Sequence, residues 1–454
     1  MFDDVKNMST QEIENQLSAI ELYEREIDKV TIESMLQKQI DTSFLTAMKC
    51  TMTPNGELFR TDKRGFLPTM LDDMYVGRKE FKKKSIEAKK QLEGETNKSR
   101  RLDIEKVVAR FNNLQLAKKV SLNSCYGATG SKYFRFYDIR MAVAVTSSGQ
   151  LSTRWIEKKI NEFMNKIMET EGVDYIIASD TDSIYLNLGP LVKRAYTKTT
   201  WKNKNQVIDF MDKVCEQKIS PFIKKSFQEL ADYMHAYEQK MNMKRESLSD
   251  KGIWTAKKRY ILNVYDMEGV RYKEPEIKVT GLEMIKSSTP AAVRESMKKI
   301  IKVILNDTEA DAQEFIRKTK ADFKALPPED ISFPRGVNGI RKYSDAADLY
   351  KSGTPIHVRG AILYNDFLKR HDLLKKYPTI KEGEKIKYTY LKMPNTLKEN
   401  VISFPDRIPK EMKLEEFVDY EAQFNLTFLE PIKVILNCMD WQAEKRSTLE
   451  DFFS

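Results

Sequence analysis

Between Tyr175 and Leu186 the chain alternates apolar, polar and apolar stretches. Tyr175-Ile176-Ile177-Ala178 leads into Asp180-Thr181-Asp182-Ser183, and Ile184-Tyr185-Leu186 leads out. Two short apolar runs around a polar tetrapeptide predict a β-hairpin with both aspartates at its tip. After Asp138 the period is helical: Leu151, Trp155, Ile156, Ile160, Phe163, Met164 and Ile167 share one face, which predicts a long amphipathic helix whose stripe is core. Arg78 and Lys82 stand at i and i+4 on one predicted helix, and Lys119, Asn123 and Tyr126 at i, i+4 and i+7 on another. The polar turn Glu93-Gly94-Glu95-Thr96-Asn97 between them predicts an antiparallel pair. Nearer the start, Ser9 with Glu12 signals a capping box before a polar helix, and Pro54-Asn55-Gly56 marks a hairpin. There is no internal repeat and no low-complexity linker.

Composition narrows the class of protein. The 454 residues allow about three domain-sized units, and 41% hydrophobic residues suffice for proper cores. Four cysteines lie far apart, without a CxxC pair and with only three histidines, which argues against a zinc module and against a disulfide framework. The polar start Met1-Phe2-Asp3-Asp4 is unlike a signal peptide, and no apolar run approaches the ~20 residues of a membrane span. Charge is unevenly placed. Residues 76–135 hold 16 Lys and Arg against 6 Asp and Glu, an excess equal to the +10 of the whole chain. A field concentrated in this way suits a polyanion such as DNA or a nucleoside triphosphate, although a solvated basic helix would carry the same residues.

The hairpin and the basic pair suggest a common chemistry. Two carboxylates one residue apart repel unless cations share them, and a hairpin presenting them to Mg²⁺ is what two-metal phosphoryl transfer needs; a solvated Asp/Ser turn is the alternative. A planar guanidinium and a compact ammonium aimed at one point from two helices would clamp a triphosphate.

Lys119-Val120-Ser121-Leu122-Asn123-Ser124-Cys125-Tyr126-Gly127 resembles the K-x-x-x-N-S-x-Y-G motif of family B DNA polymerases, and Asp180-Thr181-Asp182-Ser183 resembles their D-T-D-S motif. Lys257-Lys258-Arg259-Tyr260 looks like the K-K-R-Y segment that holds the minor groove of the new primer–template. The likeness is to the replicative enzymes of T-even-type bacteriophages. It runs from about Thr53-Pro54-Asn55-Gly56 through Phe134-Arg135-Phe136-Tyr137-Asp138 and Lys286-Ser287-Ser288-Thr289-Pro290 to His357-Val358-Arg359-Gly360, leaving only the first fifty residues faint.

The resemblance implies an α+β fold, with mostly helical fingers and thumb and an antiparallel palm sheet. It assigns Arg78, Lys119 and, as a third contact, Lys82 to the incoming dNTP, and turns Asn123 and Tyr126 toward the nascent base pair. Asp182 would bridge two Mg²⁺ ions with Asp180 beside it. Lys257, Lys258, Arg259 and Tyr260 would meet primer–template DNA. Glu246 matches a further palm carboxylate, but Lys244 stands where the family more often has an acid, so a surface salt bridge fits equally. At the end of the chain, Leu449, Phe452 and Phe453 resemble a sliding-clamp-binding peptide, with Arg446 in place of its leading Gln; a terminal helix tucked onto the thumb is the alternative.

The chain also departs from the family. The D-x-x-S-L-Y-P-S motif, whose aspartate is the other main metal ligand, and the 3′–5′ exonuclease domain are both missing, and neither Asp3 nor Asp4 is followed by Ser-Leu-Tyr. Each Mg²⁺ takes about six oxygens near 2.1 Å, so one carboxylate pair supplies too few anionic ligands. The expected arrangement is therefore a split polymerase in the cytoplasm of an infected bacterium. Residues 1–67 would form a palm-associated segment, 68–130 fingers, 131–281 palm and 282–454 thumb, with a clamp-binding tail at 448–454. A partner chain would supply the exonuclease and the first aspartate. A non-catalytic DNA- and clamp-binding remnant is the competing function, and a stretch cut from a longer enzyme is the competing origin.

Overall fold

The computed structural model describes residues 30–196, 201 and 203–445. The Ser9/Glu12 helix and the tail residues Leu449, Phe452 and Phe453 lie outside them. The chain divides into two compact units. One runs to Leu248 and takes in Tyr265–Pro275; the other comprises Ser249–Val264 and everything from Glu276 onward.

The described part of the first unit opens with short helices α1 (Ile32–Leu36) and α2 (Phe44–Met48) and the hairpin β1 (Cys50–Met52) and β2 (Leu58–Arg60). As the sequence predicts, Pro54-Asn55-Gly56 makes its turn, with Gly56 at φ 82° and the Gly56 amide donating to Thr53 O. Two long helices follow, α3 (Phe66–Gly94) and α4 (Lys98–Thr129), packed against each other as an antiparallel pair. Helix α5 (Ile139–Met168) starts on an Asp138 cap, whose carboxylate accepts from the Arg140 amide at 3.0 Å. The predicted stripe is buried at Leu151, Trp155, Ile156, Ile160 and Met164, while Phe163 is half-buried and stacked on Phe222. Ile167 departs from this pattern. It lies in the last turn, where the chain leaves the helix through a left-handed Glu169, and is exposed.

Next come β3 (Ile176–Asp180) and β4 (Ser183–Leu186), an antiparallel pair, then α6 (Gly189–Tyr196), α7 (Lys204–Val214) and α8 (Ser220–Tyr233). A π turn at Cys215–Ile219 joins the last two, just ahead of Pro221, whose missing N–H would leave a regular α-helical ladder with a gap. Cys215, Ile219, Ile223, Phe227 and Leu230 close the core over the α5 stripe, and the Trp155 indole donates to Ser226 O at 2.8 Å.

A three-stranded sheet, β5 (Ser247–Ala256), β6 (Arg259–Met267) and β7 (Val270–Thr280), crosses the division between the units. The second unit continues with α9 (Ala291–Asn306), α10 (Glu309–Phe323), α11 (Pro328–Ile331), β8 (Phe333–Gly336), α12 (Ile340–Tyr343), the short pair β9 (Ser344–Asp345) and β10 (Leu349–Tyr350), and α13 (Ile356–Arg370). It ends in β11 (Lys385–Tyr390), β12 (Val401–Phe404), α14 (Tyr420–Phe424) and α15 (Glu430–Asn437). Its core gathers Met297, Ile300 and Ile304 of α9, Tyr364 of α13 and the rings of Phe404, Phe424 and Phe428. This unit is more sheet-bearing than the sequence suggests, because β8, β11 and β12 form an antiparallel sheet beneath α13. Gly360 makes that packing close: any Cβ there would meet the Ser403 amide nitrogen at 2.7 Å. The mixed α+β class holds throughout. No described helix is long and apolar enough to cross a membrane.

Candidate active site

The aspartate hairpin is built as its pattern predicts, with Asp180 paired to Ser183 and Ser179 to Ile184. Its tip is tight. Thr181 takes φ 51°, unusual for a β-branched residue, the Asp182 amide donates to Asp180 O at 2.6 Å, and the Ser183 hydroxyl donates to the same oxygen at 3.1 Å. Helix α5 holds the tip in place: the Thr153 hydroxyl donates to Thr181 O at 2.8 Å. It also holds the base. Asn161 accepts from the Tyr175 amide at 2.8 Å and donates to Asp174, while Asn165 donates to Val173 O at 2.7 Å and accepts from the Val173 amide at 3.1 Å. Three polar side chains flanking the buried stripe thus fix both ends of the hairpin. Sequence reasoning missed them, and the signal available was the i, i+4 asparagine pair on an otherwise apolar-striped helix. With the hairpin so held, Asp182 is exposed and Asp180 half-buried at one turn.

The basic pair forms a long arm with little core. Among its described residues only Ser85 and Ala88 of α3 and Thr129 of α4 are buried. Its tip is closed by local bonds. Asn97 caps α4 by accepting from the Ser99 and Arg100 amides, Arg101 donates to Leu92 O and Glu95 O at 2.8 Å each, and the Asn97 and Thr96 amides hold the Glu95 carboxyl below its ordinary range. Phe81 stacks on Phe111 at 6.3 Å, and Gly77 backs onto the Lys118 side chain. That last contact brings the turn carrying Arg78 opposite the turn carrying Lys119.

Arg78 is half-buried, and its Nε is shielded from solvent without a hydrogen-bond partner, the kind of orphan donor that a phosphate oxygen satisfies. Lys119 and Asn123 are exposed, as is Tyr126, and a side chain at Gly127 would meet open space. Lys82 is placed differently from its neighbours: its ammonium forms an ion pair with Glu268 at the β6–β7 turn.

Lys257 and Lys258 are the two-residue turn between β5 and β6, both exposed, with Lys258 at φ 62°. Gly281 lies against the Lys258 carbonyl so closely that a Cβ would collide with it. Arg259 instead donates from Nη2 to both carboxylate oxygens of Glu283 at 2.9 and 2.7 Å, and Tyr260 is buried with its ring 6.4 Å from Trp254. The lysines thus face solvent while the Arg and Tyr brace the turn. Aspartates and lysine turn belong to different compact units. Glu246 and Lys244 are exposed, whereas Arg245 between them is drawn inward to Asp266 and Asp212. Burial opposes the Arg245 charge, but its hydrogen bonds to the two carboxylates outweigh that cost and hold the guanidinium above its ordinary value.

Asp180 and Asp182 offer hard oxygen donors, the ligand chemistry that Mg²⁺ takes. Among the described residues no group of three or more His, Cys, Asp and Glu converges into a metal-holding cluster. The pair therefore fits as part of a coordination shell.

The family model for DNA polymerase family B matches residues 23–214, and that for divergent family B DNA polymerase matches residues 159–319. The chain belongs to DNA polymerase family B. It is 31% identical over 452 residues to the DNA-directed DNA polymerase of Escherichia phage RB69 and 30% identical over 451 residues to that of Enterobacteria phage T4, each match covering 88% of this chain and 49% of the relative. A DNA polymerase delta catalytic subunit from Candida albicans is 26% identical over 301 residues, covering 64% of this chain and 24% of the relative. The family B chain thus spans about half the length of the phage relatives it matches.

Proposed function

We propose that this chain supplies the fingers, the aspartate hairpin of the palm and the thumb of a phage replicative DNA polymerase, acting as the carboxy-terminal subunit of a split enzyme. The primer 3′-oxygen attacks the α-phosphorus of a template-matched dNTP, a P–O bond forms, and pyrophosphate leaves. The observation that carries this is the hairpin, with Asp180 and Asp182 together at a tip that α5 pins by Thr153, Asn161 and Asn165. Asp180 and Asp182 would hold Mg²⁺ through their carboxylate oxygens. When bound, Mg²⁺ lowers the pKa of the attacking hydroxyl and offsets charge on the phosphates. Arg78 and Lys119 grip the triphosphate from the two sides of the arm, Asn123 and Tyr126 face the new base pair, and Lys257 and Lys258 hold phosphates of the duplex. A partner chain bearing the exonuclease and a further aspartate completes the metal shell, and the tail with Leu449, Phe452 and Phe453 docks a sliding clamp.

Kinetics of the reconstituted enzyme test the triphosphate grip. Arg78→Ala and Lys119→Ala should each lower kcat/KM for dNTP by roughly thirty- to a hundred-and-fifty-fold, the equivalent of about 2–3 kcal/mol for a charge-assisted phosphate contact. Primer–template affinity should hold. Lost DNA affinity with unchanged dNTP kinetics would make these residues duplex contacts instead.

A further inference from the structure

The β6–β7 turn stands against the arm in a way that polymerase chemistry leaves unexplained. Glu268 and Gly269 are its two central residues, at φ 53° and 81°, and two positive φ values belong to the tight primed hairpin turns. The turn is anchored. The Glu268 amide donates to Glu246 O at 2.6 Å and the Gly269 amide to Asp266 Oδ1 at 2.9 Å. Asp266 is buried and receives Arg245 and, at 3.2 Å, Arg271, while those two arginines reach Asp212 at 2.5 Å and Asp209 at 3.0 Å on α7. A fixed backbone therefore carries the Glu268 carboxylate to the Lys82 ammonium on α3, one helical turn beyond Arg78. The same turn passes Lys90, two turns further along α3: a Cβ at Gly269 would come within 3.3 Å of Lys90 Nζ.

Lys82 is the flexible member of this pair and Glu268 the fixed one. An ammonium held by one carboxylate is available to a ligand that offers more negative charge at the same distance, and a triphosphate does so. The geometry points to Glu268 as a built-in competitor for the nucleotide. It occupies Lys82 and ties the arm to the β6–β7 turn until a triphosphate draws the ammonium away, so that monophosphates, with less charge, displace it poorly. This role rests on the triphosphate site proposed above. Glu268 is then a positioning residue that sets the threshold for nucleotide entry, without touching the reacting atoms.

Titration calorimetry of the 454-residue chain with inorganic tripolyphosphate at low salt separates the two ideas. Glu268→Gln keeps the side-chain shape and removes its charge. It should bind tripolyphosphate three- to tenfold more tightly than the unaltered chain, and the gain should vanish when Lys82→Ala is present. Arg78→Ala and Lys119→Ala should weaken binding whatever stands at 268. If those two weaken it while Glu268→Gln changes nothing, the triphosphate site stands and the competitor role falls. A gain that survives Lys82→Ala would likewise overturn it, since Lys82 would not be the group released. If neither Arg78→Ala nor Lys119→Ala weakens binding, the triphosphate site itself is wrong and the competitor role falls with it. Glu268→Ala, checked by its melting curve for a folded chain, guards against an effect peculiar to glutamine.

Discussion

Helices α3 and α4 on one side and α5 on the other are of nearly equal length, yet they are held by different forces. The arm pair has 29 and 32 residues and buries three side chains among them; α5 has 30 residues and buries nine. Helix α5 owes its place to a continuous apolar stripe, with Trp155 and Ile160 shut away from water, and it passes that rigidity on to the aspartate hairpin through Thr153, Asn161 and Asn165. The arm relies on a capped tip, one aromatic stack, the Lys82–Glu268 ion pair and helix propensity, with Lys119 left in solvent. Under the function proposed above, α5 steadies the aspartates during chemistry, and the thinly packed pair carries the groups that reach a mobile polyanion.

The largest expected contrast is in stability. Trp155→Ala should destabilise the first unit by about 3–5 kcal/mol, through lost packing and the lost bond to Ser226 O, whereas Leu116→Ala on the exposed face of α4 should stay within about 0.5 kcal/mol. Denaturant melts monitored by circular dichroism would measure both, and equal costs would mean that the arm has a core comparable to that of α5.

A smaller effect is expected at the arm tip. Asn97→Ala removes the cap and should cost about 1 kcal/mol, confined to the arm, with hydrogen exchange accelerating around residues 95–101 and unchanged in α5. Acceleration spreading into α5 would show the two regions to be one cooperative body.

A pH-dependent contrast concerns the thiol of the anchored region. Burial pushes Cys215 up to about 11, while Cys438 in the second unit is exposed. A thiol whose folded pKa is raised favours folding fully below its unfolded value near 8.5 and loses that contribution as pH climbs toward 11. At pH 8 a maleimide should therefore label Cys438 quickly and Cys215 only on unfolding, and melting temperatures should drift down between about pH 9 and 11. Rapid labelling of Cys215 in the folded chain would show that the α7–α8 junction opens.

Much of this difference is legible in the sequence. The α5 stripe, the aspartate hairpin, the Pro54-Asn55-Gly56 turn and the paired basic helices all follow from local periodicity and turn chemistry, because each rests on residues within a few turns of one another. What could not be read depends on partners far apart in the chain. Arg259 pairs with Glu283 and Lys82 with Glu268, and charge pairs of that kind have no period. The β8–β11–β12 sheet was likewise missed, since helices α12 and α13 lie between β8 and β11. Ile167 shows the opposite failure: it continues the helical spacing but is exposed in the last turn.

The central claim is that the hairpin held by α5 performs nucleotidyl transfer while the arm delivers the nucleotide. The direct measurement is Mg²⁺-dependent primer extension by the chain together with the exonuclease-bearing partner proposed above, comparing the unaltered protein with Asp182→Asn. We expect the substitution to cut the rate of single-nucleotide addition by about three orders of magnitude or more, because it removes a charge placed to meet the transition state, with primer–template affinity kept and still falling steeply with salt. Extension at an undiminished rate by Asp182→Asn would contradict the claim and move the catalytic site elsewhere.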